Sequence, residues 1–324
     1  MTSALLLLLI FVGSGVALWL VSLVFEAMRP IPSTPTTLGW APEIPIRYIK
    51  VGDCRLRYIT AGTGPSVVLL HTLRTQLDLF EKVVPELAKH FTVYALDYPG
   101  HGYSDIPKER YNADFFVHSV EGFLEALDLQ GVALCGVSIG ASISLIIAGR
   151  RNSRVARVIA INPYDYGKGR GLARSSFLGR LSVTVSDIPV VGETFMRLRN
   201  FLIVKGILEG GVAHPRAIPG ELLREMYSVG NRSGHYRAFL SLLRNSESWE
   251  KARKVYANIN VPALLIWAEQ DWSTPKERED DQRLVPGART ATVQNGGHFL
   301  PLDCPREVQD LIIRFAGTRS ISSE

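Results

Sequence analysis

Cysteine is scarce. Cys54, Cys135 and Cys304 are the only three in 324 residues, and they stand far apart. That excludes a disulfide scaffold and a cysteine-type zinc site. No run of Lys and Arg is interleaved with aromatics, and the net charge of +5 is modest for this length, so nucleic acid is not an expected partner. The 28 glycines and 18 prolines follow no period, and there is no internal repeat. Collagen-like and low-complexity chains are thereby ruled out, and a hydrophobic content of 46% rules out disorder. The length fits one large domain or two small ones.

Charge is missing altogether from Ser3 to Phe25, SALLLLLIFVGSGVALWLVSLVF. As a helix this run is roughly 35 Å long, enough to cross the hydrocarbon core of a bilayer. No Lys or Arg precedes it, it exceeds a usual signal-peptide core, and no small-x-small site follows. The expectation is an uncleaved transmembrane anchor over residues 1–28, and hence a single-pass membrane protein. Only the terminal amine precedes the run, while Arg29, Arg47 and Lys50 follow it, which leans the catalytic domain slightly toward the cytoplasmic side. Residues 29–45 contain five prolines and read as an extended linker that joins no helix or central strand. Little of the core should depend on it. The folded domain is expected over 46–316, with a tail at 317–324.

Within that domain, Ile46–Val51 and Arg55–Thr60 form a hairpin pattern around Gly52-Asp53. Ser66–Leu70 is a continuous apolar run, as expected of a strand buried on both faces, Thr92–Leu96 reads as another buried strand, and Val132–Cys135, Val155–Ile161 and Val261–Trp267 continue the strand pattern. Thr290–Val293 is a last short strand. Helical spacing occurs at Leu77–His90, Ala113–Leu129, Ala141–Arg150 and Arg306–Phe315. Strands alternating with helices predict an α/β fold with a mostly parallel central sheet covered on both faces. A helical block at about 166–256 interrupts the alternation. It carries 15 Lys/Arg against 7 Asp/Glu, so the positive charge concentrates there.

Gly136-Val137-Ser138-Ile139-Gly140 matches G-x-S-x-G, with a buried strand running in and an apolar helix running out. A serine on such a sharp turn projects its hydroxyl above the carboxyl edge of the sheet. A serine nucleophile needs a base, and the base needs an orienting acid. His298 follows the last strand, and Asp271 follows VPALLIWAEQ. The chain order Ser138, Asp271, His298 is the order G-x-S-x-G hydrolases use. Asp165, just beyond the Val155–Ile161 strand, is the rival acid.

With these landmarks, and with the strand ending in His71 and the loop Asp97-Tyr98-Pro99-Gly100-His101-Gly102, the chain resembles the α/β-hydrolase fold family over roughly residues 46–315. The resemblance implies two backbone donors for a developing oxyanion, the N–H groups of Ile139 and Leu73. In this family the loop after the first buried strand usually reads His-Gly. Here it reads His71-Thr72-Leu73-Arg74, which makes Thr72 and Arg74 candidate substrate contacts, Arg74 for an acidic group. His101 is expected to be structural. The helical block would be a cap over the site. No metal and no cofactor is implied.

The expected activity is that of a membrane-anchored serine hydrolase cleaving a carboxylic ester or thioester, with a small-molecule or lipid-like acyl substrate. Relatives also cleave C–C or amide bonds or form peracids. Those acting on epoxides and carbon–halogen bonds carry aspartate where this chain has Ser138. A non-catalytic binding protein on the same fold is the remaining alternative.

Overall fold

A computed structural model describes residues 3–317, so the expected tail lies outside the described residues apart from Gly317. Eight strands form one sheet: β1 Ile46–Val51, β2 Cys54–Ala61, β3 Ser66–Leu70, β4 Thr92–Leu96, β5 Val132–Val137, β6 Val155–Ile161, β7 Ala263–Ala268 and β8 Arg289–Val293. Their order is β1-β2-β4-β3-β5-β6-β7-β8. β2 runs antiparallel to β1 and β4, and every other pairing is parallel. The strand reversal between β3 and β4 on one side and β5 on the other puts the carboxyl ends of β3 and β5 side by side, the usual place for a site in a parallel sheet.

The apolar runs are buried because helices cover them. Val67–Leu70 and the whole of β5 and β7 are inaccessible. Helices Ala113–Ala126 and Ile139–Gly149 pack on each other, and Pro305–Ala316 packs against the single turn Val84–Leu87. The expected helix over Leu77–His90 is broken in two, a 3-10 turn at Leu77–Phe80 and that α-turn at Val84–Leu87. Pro85 opens the second piece, and the Leu77 N–H donates to Asp97 Oδ1 at 2.7 Å, which holds the first piece to the next loop instead.

Between β6 and β7 the chain forms the cap, with helices Phe177–Ser186, Val191–Arg197, Phe201–Glu209, Gly220–Gly230, His235–Arg244 and Glu247–Ala252. It is tied to the carboxyl edge of the sheet. Lys82 Nζ donates to the Ala217 carbonyl at 2.9 Å, Tyr103 Oη to Glu225 at 2.6 Å, Trp272 Nε1 to the Gly210 carbonyl at 2.9 Å, and the Phe299 N–H to the Gly211 carbonyl at 2.6 Å.

The apolar N-terminus is one helix, Ser3–Ala27, with mean hydropathy 2.6 over an 18-residue stretch; by length and composition it is able to cross a membrane. Its last turn docks on the cap. Glu26 accepts from Arg199 Nη1 at 2.8 Å and from the Gly234 N–H at 2.7 Å, and Arg29 donates to the carbonyls of Arg197 and Arg199 at 2.6 and 2.8 Å.

The segment 29–45 departs from the free tether read from its prolines. Leu38, Ala41 and Ile44 are buried in the core, and Thr37 bridges to Pro45. Trp40 Nε1 donates at 2.8 Å to Asp78, the partner of the buried Arg57. Proline forbids ladder bonds, but it does not keep the residues between prolines from packing.

A chain lacking residues 1–45 is therefore expected to melt lower than one lacking only 1–24, which keeps Glu26, Arg29 and the packed segment. Losing those buried side chains amounts to a few kcal/mol, hence a Tm lower by about 5 °C or more in calorimetry. Equal Tm values would show that the segment contributes nothing.

Candidate active site

Ser138 sits between the end of β5 and the helix Ile139–Gly149, at φ 60° and ψ −119°, a left-handed conformation costly for a residue with a Cβ. The flanking glycines explain how the turn fits. A Cβ on Gly136 would come within 2.0 Å of the Gly140 backbone, and one on Gly140 within 2.2 Å of the Leu70 carbonyl oxygen. The helix starts directly against the end of β3, and only hydrogen atoms fit at these two positions.

The structure brings Ser138, His298 and Asp271 together although they lie up to 160 residues apart. His298 Nε2 is 2.8 Å from Ser138 Oγ, and Nδ1 is 2.5 Å from Asp271 Oδ1. The second Asp271 oxygen accepts from the Ser273 N–H at 2.9 Å and from its hydroxyl. Burial alone would raise the Asp271 carboxyl, but His298 and the two Ser273 donors hold it below the usual carboxylate range. It therefore stays ionised where His298 can use it.

Asp165 makes no bond to His298 and is committed elsewhere: it accepts from Tyr256 Oη at 2.6 Å and faces Arg253 at 3.9 Å. His101 is outside the triad, packed at steep ring angles against His71, Tyr98 and Phe116. Burial pushes both His71 and His101 down to about 3, so both rings are neutral at ordinary pH.

Leu73 leaves β3 beside the Ser138 turn, and among the described residues its N–H makes no hydrogen bond. Ile139 opens its helix, where the first N–H groups have no intrahelical partner. Two backbone donors are thus free on the two loops that flank Ser138. In the same loop Thr72 is buried with its hydroxyl unpartnered. Arg74 is buried at φ 63°, its guanidinium carbon 4.7 Å over the Phe239 ring of the cap.

Sequence reading missed the residues that hold the imidazole. Trp272 stacks on His298 with centroids 3.7 Å apart at 11°. Asn162, at the end of β6, donates to the His298 carbonyl at 3.0 Å and accepts from the Ala268 N–H at 2.8 Å, pinning the His298 loop to β7. The one signal for Trp272 was its position next to Asp271. Asn162 carried none beyond ending a strand.

A family profile described as the alpha/beta hydrolase fold matches residues 65–196. The chain has the α/β-hydrolase fold. It is 25% identical over 288 residues to a human protein named monoacylglycerol lipase ABHD6, covering 83% of this chain and 81% of that one. Among solved structures it superposes on the epoxide hydrolase CorEH with a TM-score of 0.74 at 21% identity, over 85% of this chain and 99% of that one. It also superposes on a structure titled a membrane phospholipase A, a novel bacterial virulence factor. There the TM-score is 0.71 at 21% identity, over 96% of both chains. Most of the relatives named for an activity are hydrolases, although one from Pseudomonas putida is named an acetyltransferase component, and this chain stands with the hydrolases as an enzyme.

The geometry separates the two acids. Asp271→Asn is expected to lower kcat/KM for a short ester about a thousandfold or more, with the fold intact. Asp165→Asn is expected to act on Tm instead, because it weakens a buried contact with Tyr256 and Arg253. Steady-state kinetics beside thermal melts read both; the reverse ranking would move the acid to the end of β6.

Proposed function

We propose that this protein is a membrane-anchored serine hydrolase that cleaves carboxylic esters or thioesters through an acyl-enzyme. The observation that carries the reading is the continuous relay from Ser138 Oγ to His298 Nε2 at 2.8 Å and from His298 Nδ1 to Asp271 at 2.5 Å. Ser138 Oγ attacks the carbonyl carbon while its proton passes to His298 Nε2. Asp271 keeps the other ring proton on Nδ1 and stabilises the imidazolium that forms. The Leu73 and Ile139 N–H groups receive the oxyanion, in a site dry enough for such bonds to count heavily. Collapse expels the alcohol or thiol, which takes the proton back from His298. A water then gives its proton to His298, attacks the acyl carbon, and releases the acid and free Ser138. The stacked Trp272 fixes the ring plane through this exchange.

A lipid-like acyl substrate is supported by the surface beside the N-terminal helix. Residues Phe11–Trp19 of that helix and Val190, Val191, Phe195 and Ile203 of the cap line an apolar cavity of about 640 Å³. Val190 and Val191 are also exposed, as are Phe177 and Leu202 elsewhere on the cap. Apolar side chains at this level suit a bilayer and not water. The names of two relatives, a monoacylglycerol lipase and a membrane phospholipase A, agree with acyl-lipid chemistry.

Ser138→Ala is expected to lower turnover of a p-nitrophenyl ester by at least about a thousandfold without lowering Tm. Turnover near wild type in that folded variant would sink the acyl-enzyme reading. The full chain should remain in the membrane pellet after alkaline carbonate washing, and the chain lacking residues 1–24 should leave it; release of the full chain would contradict the anchor.

A further inference from the structure

Among the described residues three arginines are buried: Arg57, Arg74 and Arg199. Two of them have carboxylates. Arg57 lies between Asp78 and Asp97, and Arg199 is paired with Glu26. Arg74 has none among the described residues, and its Nη1 has no hydrogen-bond partner at all. The charges that act on it most are Arg199 and Arg29, both positive and both already committed to Glu26 and to backbone carbonyls. An unpaired buried cation is among the costliest features a fold can carry. This one also sits at a positive φ, so the backbone is strained at the same residue.

The surroundings define a receptor. Arg74 directly follows Leu73, the proposed oxyanion donor. Its guanidinium lies over Phe239, and His235 stands one turn earlier on the same face of that cap helix. His235 is buried and its Nδ1 is also without a partner. Burial, with Arg74 as the leading neighbouring charge, pushes its pKa well below the ordinary value, so the ring is neutral. Arg74 is pushed down only to about 9, chiefly by burial, and stays charged at neutral pH. His71 and His101 on the same side are neutral. Between the oxyanion loop and the cap, Arg74 is thus a buried cation with Nη1 unpartnered beside a neutral imidazole with Nδ1 unpartnered, and Arg199 and Arg232 add to the positive field there.

We propose that Arg74 and His235 form an anion subsite, and that the enzyme's substrates are acyl esters carrying an anionic oxygen group, carboxylate or phosphate, a few bonds from the scissile carbonyl on the cap side. The inference rests on the Ser138 acyl-enzyme reading for the position of that carbonyl. Guanidinium recognises either anion through paired N–H donors, and the bound group supplies the countercharge the fold leaves out.

The test compares p-nitrophenyl butyrate with p-nitrophenyl esters of the same reach ending in a carboxylate or a phosphonate. It uses the wild-type chain, Arg74→Met and Arg74→Lys. Wild type is expected to favour at least one anionic ester over the neutral one by tenfold or more in kcat/KM. Arg74→Met should cut that ratio at least tenfold, and Arg74→Lys should keep most of it. Preference for the carboxylate alone or the phosphonate alone identifies the anion. Arg74→Met should also raise Tm, since it removes an unpaired charge; a purely structural arginine would lower it. Succinate or inorganic phosphate should raise the Tm of wild type and not of Arg74→Met. No anionic preference in wild type, or a preference that survives Arg74→Met, overturns the subsite. Ligand-dependent Tm shifts without any Ser138-dependent hydrolysis would instead overturn the acyl-enzyme reading and leave the subsite standing.

Discussion

The helix Ile139–Gly149 begins with no space between it and the end of β3. Gly140 presses on the carbonyls of Leu70 and His71, and Gly136 presses on Gly140. Everything at the site follows from that close approach. It forces Ser138 into a left-handed turn, so its hydroxyl stands clear of the sheet. It sets the first N–H of the helix beside the loop that leaves β3. A methyl group at either glycine would have to push backbone apart, which no flexible side chain could relieve.

A second layer of polar contacts keeps the surrounding loops in register with that turn. Asp97 receives the Leu77 and Tyr103 N–H groups at 2.7 and 2.9 Å and is held by Arg57, so the loops after β3 and β4 share one anchor. Asn162 does the same for β6, β7 and the His298 loop. Trp40 reaches into the first network through Asp78. The segment between the apolar helix and the sheet is thus joined to the loop that carries Leu73 and Arg74. Glu26, at the end of the apolar helix, is joined to the cap through Arg199. The end of the apolar helix and the walls of the site belong to one packed unit.

Much of this was legible because it is written in short-range pattern. The buried strands announce themselves as short, largely apolar runs, and Ser138 as a serine between glycines at a strand–helix junction. The helix Pro275–Leu284 was not legible by periodicity, because PKEREDDQRL has almost no apolar face. Its signal lay instead in the Thr274–Glu277 capping box with Pro275 at the first turn. The packing of Leu38, Ala41 and Ile44 was hidden by the prolines around them. The pairing of Glu26 with Arg199, 173 residues apart, and the stacking of Trp272 on His298 are products of tertiary structure, and nothing local encodes them.

The central claim is that Ser138 is a nucleophile activated by His298. Peptide mass spectrometry after brief exposure to an alkyl fluorophosphonate tests it most directly, with wild type compared to folded His298→Ala. The account predicts a phosphonyl adduct on the peptide bearing Ser138 in wild type, and labelling slowed by orders of magnitude without the imidazole. An adduct on another residue, or equal labelling rates in the two proteins, would contradict it.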